Sequence, residues 1–271
     1  MIEVETHNHD TLSGDQVVQR FAMAAIGMSI NGLENWFTDS SECSWGSGRV
    51  ACNSLGQVNQ IVARSDSLSG TIPLSIGLLT NIERMGLHDN ALTGTIPSEF
   101  GGLRALTWLE LWSNSLAGRI PTEMGGLRAL TYIVLGDNQL TGMIPSEVGG
   151  LTALSVLGLD SNALTGSIPS EVGGLRALTE FNPRNNRLTG TIPTAVGGLT
   201  ALTWLNLYNN RLTGTIPSQV GELTALTLLT LYNNRLTGTM PAGVCEIVSP
   251  RIDCNEIVCD CCQDSSRRQC P

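Results

Sequence analysis

The chain has 271 residues, a formal net charge of −9, and basic side chains that are all arginine, 15 of them. An acidic balance of that size argues against nucleic acid and anionic membrane surfaces as partners. No apolar run approaches the roughly 18 residues of a membrane span, so none is expected here.

The first patterned stretch is helical. Around Gln16–Met28, helical spacing brings Val17, Val18, Phe21, Ala25 and Ile26 near one face. The apolar run Phe21–Ile30 follows Asp15 and Arg20 and lacks a small-residue cleavage site, so it reads as a cap helix and no secretory leader is visible. Trp36 comes next, then Cys43-Ser44-Trp45-Gly46 and Val50-Ala51-Cys52-Asn53.

From Val58 to about Pro241 a 24-residue unit recurs eight times without a gap, in its commonest spelling L-T-x-L-x-L-x-x-N-x-L-T-G-x-I-P-x-x-V-G-G-L-x-A. A period in this range marks a solenoid. The clearest copies begin at Leu106, Leu130, Leu154, Leu178, Leu202 and Leu226, with looser ones at Val58 and Ile82. Seven positions are apolar in nearly every copy; from Leu202 they are Leu202, Leu205, Leu207, Leu212, Ile216, Val220 and Leu223. The L-x-L alternation predicts a strand with one buried face, and the later apolar positions predict a return path around the same interior. One such coil cannot bury its own apolar side, so the coils must stack. The ninth position is Asn from Asn90 to Asn234, with Asp66 in the first copy; a buried amide there is expected to bond backbone groups of its own turn and the next. Glycine at position thirteen permits a bend, and the following Ile-Pro favours an extended turn over a long helix.

Residues 242–271 hold Cys245, Cys254, Cys259, Cys261, Cys262 and Cys270. An even number of cysteines in a short loop-like segment reads as a disulfide staple, and so as an oxidising compartment. The rival reading is a zinc site using Cys259 and Cys262.

The repeat closely resembles the plant-type extracellular leucine-rich repeat, L-x-x-L-x-L-x-x-N-x-L-x-G-x-I-P, and the run from Trp36 to Cys52 resembles that family's N-terminal cap. The resemblance implies an α/β-type solenoid: a curved, right-handed superhelix with a concave parallel β-sheet and a convex side of short 3-10 or irregular segments. It divides the chain into a helical N-terminal cap (1–57), eight repeats (58–241) and a cysteine-rich C-terminal cap (242–271). It also implies a Cys43–Cys52 disulfide, and a non-enzymatic recognition role: a receptor-like ectodomain, or a secreted inhibitor resembling those of polygalacturonase, in signalling or defence.

Variation between copies locates the candidate site. Positions three, five, seven, eight and ten are expected on the exposed side of the strand. Positions three and seven hold all six Trp and Tyr of the array: Trp108, Trp112, Tyr132, Trp204, Tyr208 and Tyr232. Such rings are favoured at interfaces for their large apolar area and polar edge. Arg184 at position seven and Arg187, Arg211 and Arg235 at position ten suggest a basic, aromatic surface in the copies that begin at Leu178, Leu202 and Leu226. Its expected partner is an extracellular protein, a peptide or an acidic glycan, with a co-receptor as a further possibility. The middle copies expose Glu110, Asp137 and Asp160 instead, and His88 is expected in an exposed column beside Asp89. The competing reading is structural, since stacked rings can simply stabilise a sheet. No catalytic, cofactor or metal motif is evident, and His7 and His9 lie in the terminal stretch. A second class of function is adsorption to ice or a wall polysaccharide. Position twelve carries Thr93, Thr141, Thr165, Thr189, Thr213 and Thr237, position fourteen carries Thr95, Thr191, Thr215 and Thr239, and Ala117, Arg119 and Met143 interrupt the rows.

Overall fold

A computed structural model describes residues 14–32, 43, 48–247, 250–253 and 257–259. His7, His9, Trp36, Trp45, Cys254, Cys261, Cys262 and Cys270 lie outside the described residues.

The backbone is a stack of coils. Each of the eight coils contributes one short strand to a nine-stranded sheet, and the stretch before the first coil contributes the ninth: β1 (Val50–Cys52), then β2 (Val58–Val62), β3 (Arg84–Gly86), β4 (Trp108–Glu110), β5 (Tyr132–Val134), β6 (Val156–Gly158), β7 (Glu180–Asn182), β8 (Trp204–Asn206) and β9 (Leu228–Thr230). β1 is antiparallel to β2, and every later neighbour is parallel. Register follows the period, so Tyr132 pairs with Val156 and Val156 with Glu180, and like positions align across the sheet. On the return path the first seven coils each have a five-residue 3-10 helix, such as Ser146–Gly150 or Thr194–Gly198, that begins directly after the coil's proline, and the eighth runs into a six-residue α-helix after Pro241. That proline is extended (Pro145 ψ 139°), which starts the short helix without continuing the strand.

All seven apolar columns are buried in one continuous core, from Val58 and Ile61 to Leu236 and Met240. The ninth-position amides tie the coils together. Asn186 Nδ2 donates to the carbonyls of Leu159, Pro183 and Arg184, and its Oδ1 accepts from the Leu164 N–H. The shared partner is therefore the preceding coil, where the sequence suggested the following one. Position eight is left-handed in every coil, with φ between 48° and 57° from Asp89 to Asn233. That explains why it is always Asp, Ser or Asn: short polar side chains tolerate this conformation where bulkier ones are strained.

Helix α1 (Gly14–Ser29) caps the first coil, but with a different face from the one predicted. Gln19, Ala22, Met23 and Ile26 are buried, whereas Val17, Val18 and Phe21 are exposed. The cause is Gln19, whose amide donates to the Gly56 carbonyl and accepts from the Val58 N–H, so a polar residue fixes the phase of the helix. Cys43 and Cys52 form a disulfide. Arg49 pairs with Asp66, joining β1's approach to the first coil. At the other end, α2 (Ala242–Ile247) carries Cys245; it and Cys259 are disulfide-bonded, so the zinc alternative for Cys259 falls. Among the described residues no cysteine is free.

One coil departs from the rest. β7 and β8 share two register pairs, Glu180–Trp204 and Phe181–Leu205, where their neighbours share three. At position six Leu159 donates to the Asn182 carbonyl and Leu207 to the Thr230 carbonyl, but Pro183 has no N–H to give to Asn206. The Pro183 carbonyl accepts from both Asn186 and Asn210, so the amide ladder crosses the missing rung.

Candidate functional site

Alternation along each strand sends positions four and six into the core and positions three, five and seven to the sheet face. Because like positions are in register, the face is built of columns rather than isolated side chains.

The third-position column stacks at its N-terminal end. The Arg84 guanidinium lies 5.0 Å from the Trp108 ring centroid, and Trp108 and Tyr132 are parallel with centroids 3.6 Å apart and planes 3° apart. Beyond Val156 and Glu180, Trp204 stands 37% exposed, between Glu180 and Leu228 in register. The seventh-position column forms two groups. His88 stacks on Trp112 at 4.7 Å. Gly136 then contributes no side chain, and the second group runs Asp160, Arg184, Tyr208, Tyr232. Arg184 Nη2 is 3.2 Å from Asp160 Oδ2, the guanidinium lies 5.7 Å from the Tyr208 ring, and Tyr208 and Tyr232 stack at 4.8 Å. Asn185 donates to the Tyr208 hydroxyl, and an amide ladder continues from Asn233 to Asn209 to Asn185.

Several candidates sit elsewhere than predicted. His88 is only 6% exposed, because Trp112 covers one ring face and Glu110 Oε2 lies 3.4 Å from Nδ1. Asp160 is 8% exposed, since Arg184 and the Asn182 amide fold over it; Asp137 alone of the three middle acids is exposed. Arg187, Arg211 and Arg235 are exposed but do not join the rings. They follow the left-handed residue and the ladder Asn, and Arg235–Leu236 pairs with Thr213–Gly214 in a separate two-stranded ladder. Arg184, the one arginine beside the rings of the copies that begin at Leu202 and Leu226, is matched by Asp160. The basic character expected of that surface is thus divided between two faces.

Position five supplies what the sequence reading passed over. Asn182 and Asn206 are 8% and 4% exposed, and the Oδ1 of each is buried without a partner. An Asn in two successive coils, where the others carry Val, Gly, Glu or Thr at this position, was the visible signal. Burial pushes the Asp160 carboxyl above its ordinary range, and Arg184 only partly offsets this. Glu180 is likewise raised, by burial first and then by Asp160. The Tyr132 hydroxyl is raised by burial, Glu110 and Glu180. Chemically the face offers ring edges, amides and incompletely compensated carboxylates, all suited to holding a partner. Among the described residues no group of three or more His, Cys, Asp or Glu could hold a metal, and no helix is long and apolar enough to cross a membrane.

Comparison with known proteins adds the wider context. The leucine rich repeat patterns match residues 81–103, 129–151 and 176–236. No curated protein matches the sequence. Among solved structures, the plant peptide hormone receptor RGFR1 in complex with RGF2 is 38% identical over 71% of this chain and 31% of its own, with a TM-score of 0.67. The Arabidopsis receptor kinase HAESA, in complex with the peptide hormone IDA and the co-receptor SERK1, is 28% identical over 92% of this chain and 42% of its own, with a TM-score of 0.76. The chain thus spans less than half of either receptor chain. A plant ice-binding protein is 25% identical over 84% of this chain and 89% of its own, with a TM-score of 0.63.

Proposed function

The chain belongs to the leucine-rich repeat family, in its plant extracellular form, and from that premise we propose that it is a non-enzymatic extracellular recognition module. Residues 58–241 act as the recognition array between caps at 1–57 and 242–271. A peptide or protein partner lies along the sheet face, across Trp108, Trp112 and Tyr132 in the middle coils and Trp204, Tyr208 and Tyr232 in the later ones. The observation that carries this reading is the gathering of all six rings on one face in two registered columns, five of them half-buried and Trp204 exposed. Likeness to two receptors solved with peptide hormones supports a peptide over an acidic glycan, and so does the separation of Arg187, Arg211 and Arg235 from the rings. A co-receptor is proposed on the HAESA likeness alone.

The test is an array of secreted peptides and glycans probed with the wild type and a Tyr208→Ala, Tyr232→Ala double variant. Peptide signals should vanish in the variant while its melting temperature moves little. Signals that persist, or a variant that no longer folds, would assign the rings to stability alone.

The second reading, adsorption to a repeating surface, has its own observation. Likeness to the ice-binding protein runs nearly the full length of that chain. The threonine rows are also held rigid: Thr213 Oγ1 donates to the Gly190 carbonyl at 3.3 Å and Thr141 Oγ1 to Gly118 at 3.2 Å. The fourteenth-position methyls pack on the next coil's glycine, where a Cβ at Gly214 would sit 2.9 Å from Thr191 Cγ2.

A further inference from the structure

We propose that Arg251, at the C-terminal end of the sheet face, binds an acidic side chain of a partner whose neighbouring apolar residues lie on Leu228 and Trp204. This rests on the reading of the sheet face as a recognition surface and adds the chemistry of what is recognised at that end.

The registered face does not stop at β9. Residues 250–253 lie along its outer edge in parallel register. Arg251 bridges to Thr230, its N–H donates to the Leu229 carbonyl at 3.0 Å, and its carbonyl accepts from the Leu231 N–H at 2.8 Å. Alternation then fixes the side chains. Ile252 is 1% exposed, in the core, so Arg251 and Asp253 on either side of it project as Thr230 and Tyr232 do, onto the sheet face. Asp253 has a structural duty. In earlier coils the ladder Asn gives its N–H to position eight of the next coil, as Asn210 does to the Asn233 carbonyl, whereas Asn234 gives its N–H to Asp253 Oδ2. Arg251 has no such duty: it is half-buried, and its guanidinium makes no ion pair or hydrogen bond among the described residues.

The surroundings select the guest. Strand spacing and rise place the Arg251 backbone roughly 8 Å from Leu228 and Tyr232 and about 12 Å from Trp204, a span of three or four extended residues. Leu228 is half-buried and Trp204 is exposed, so both offer apolar surface to a partner. Glu180 borders Trp204 on the other side, so an acidic residue is repelled at that end and held at the Arg251 end. A guanidinium presents N–H donors in a fork that matches a carboxylate. Neighbouring cations do not compete for it: Arg184 donates twice to Asp160 Oδ2, and Arg235 belongs to the separate ladder with Thr213–Gly214. The net charge of −9 makes the preference diagnostic, because general attraction to this chain favours a basic peptide.

Calorimetric titration with the acetylated, amidated peptide Trp-Leu-Glu-Glu tests this, beside its Gln-Gln and Lys-Lys counterparts and a Gln-Gln form with a free terminal carboxylate. The acidic peptide should bind the wild type about tenfold more tightly than the other amidated peptides, as expected for one charge-assisted contact. Arg251→Gln should abolish that preference with no change in melting temperature, since the guanidinium holds nothing in the free protein. Arg187→Gln removes the same charge from an exposed position off the ring columns and should change binding less than about twofold. Equal affinity for the three amidated peptides, equal losses in Arg251→Gln and Arg187→Gln, or no binding to the wild type would each overturn the contact. Tight binding of the free-carboxylate form alone would move it to a chain end and overturn the side-chain assignment. Self-association of Arg251→Gln without loss of the preference would assign the arginine to guarding the sheet edge, and would overturn it too. Peptide capture on the array that is lost with Tyr208→Ala, Tyr232→Ala but is indifferent to Arg251→Gln would reject the contact and leave the recognition reading standing.

Discussion

At the scale of single residues, the most constrained side chains are amides rather than leucines. Asn210 donates to the carbonyls of Pro183, Leu207 and Tyr208 and accepts from the Leu188 N–H. Four backbone groups from two coils therefore depend on one buried side chain. Asn210→Ala removes every partner and leaves at least two of them in the core without a substitute. At about 1–3 kcal/mol for each stranded group, the loss should be near 3 kcal/mol, read as a lower midpoint in urea unfolding. Loss below about 0.5 kcal/mol would mean that water enters and replaces the amide. Asn210→Asp should fare no better, because a carboxylate offers acceptors where three carbonyls need a donor. The neighbouring Asn209 has a different reason to be polar: its φ of 55° asks for a short side chain that tolerates the left-handed region. Adjacent columns of asparagine thus answer to separate demands, hydrogen bonding in one and backbone conformation in the other.

At the scale of the element, the strands are only three residues long in most coils, so each rung between coils is a large share of the pairing. Pro183 deletes one of them between β7 and β8. Pro183→Leu returns a donor to the Asn206 carbonyl and restores the leucine that position six carries in six other coils, Leu87, Leu111, Leu135, Leu159, Leu207 and Leu231. Stability should rise by about 1 kcal/mol, measured by denaturant unfolding, with array binding unchanged if the proline has no part in recognition. A rise in stability with loss of binding would instead assign Pro183 to the shape of the site. The elements also show where sequence reasoning has purchase. The strict period exposes the strands, the core columns and the amide ladder, because each repeats the same contact in seven or eight coils. The phase of α1 escapes it, since a helix occurs once and its buried face is set by Gln19 reaching two backbone groups of the first coil. Burial of His88 and Asp160 escapes it too. Exposure at position seven depends on whether the next coil offers a ring or a guanidinium to cover it, and that is a property of pairs rather than of a column.

At the scale of the whole molecule, the coils present two repeating faces, and the choice between the functional readings is a choice between them. The sheet face is irregular by chemistry: rings, acids, glycines and amides change from coil to coil, as suits a partner with its own sequence. The threonine flank is regular, with rotamers held by the preceding carbonyl and the following glycine. Regularity at coil spacing, roughly 4.8 Å, is what a lattice requires, and it is broken where Arg119 and Met143 replace the fourteenth-position threonine. Met143 is well exposed there, and its chain and that of Arg119 cover the glycines that threonine methyls cover elsewhere. Arg119→Thr with Met143→Thr would make the row continuous from Thr95 to Thr239 apart from Ser167, without touching the sheet face. If the flank adsorbs to ice, the wild type should show thermal hysteresis and the double variant more of it, while peptide capture stays the same. If the sheet face is the working surface, neither protein should show hysteresis and peptide capture should be identical in both. Hysteresis in the wild type that the Tyr208→Ala, Tyr232→Ala variant retains would move the function from the ring columns to the threonine rows, because the two faces share a core but no side chains.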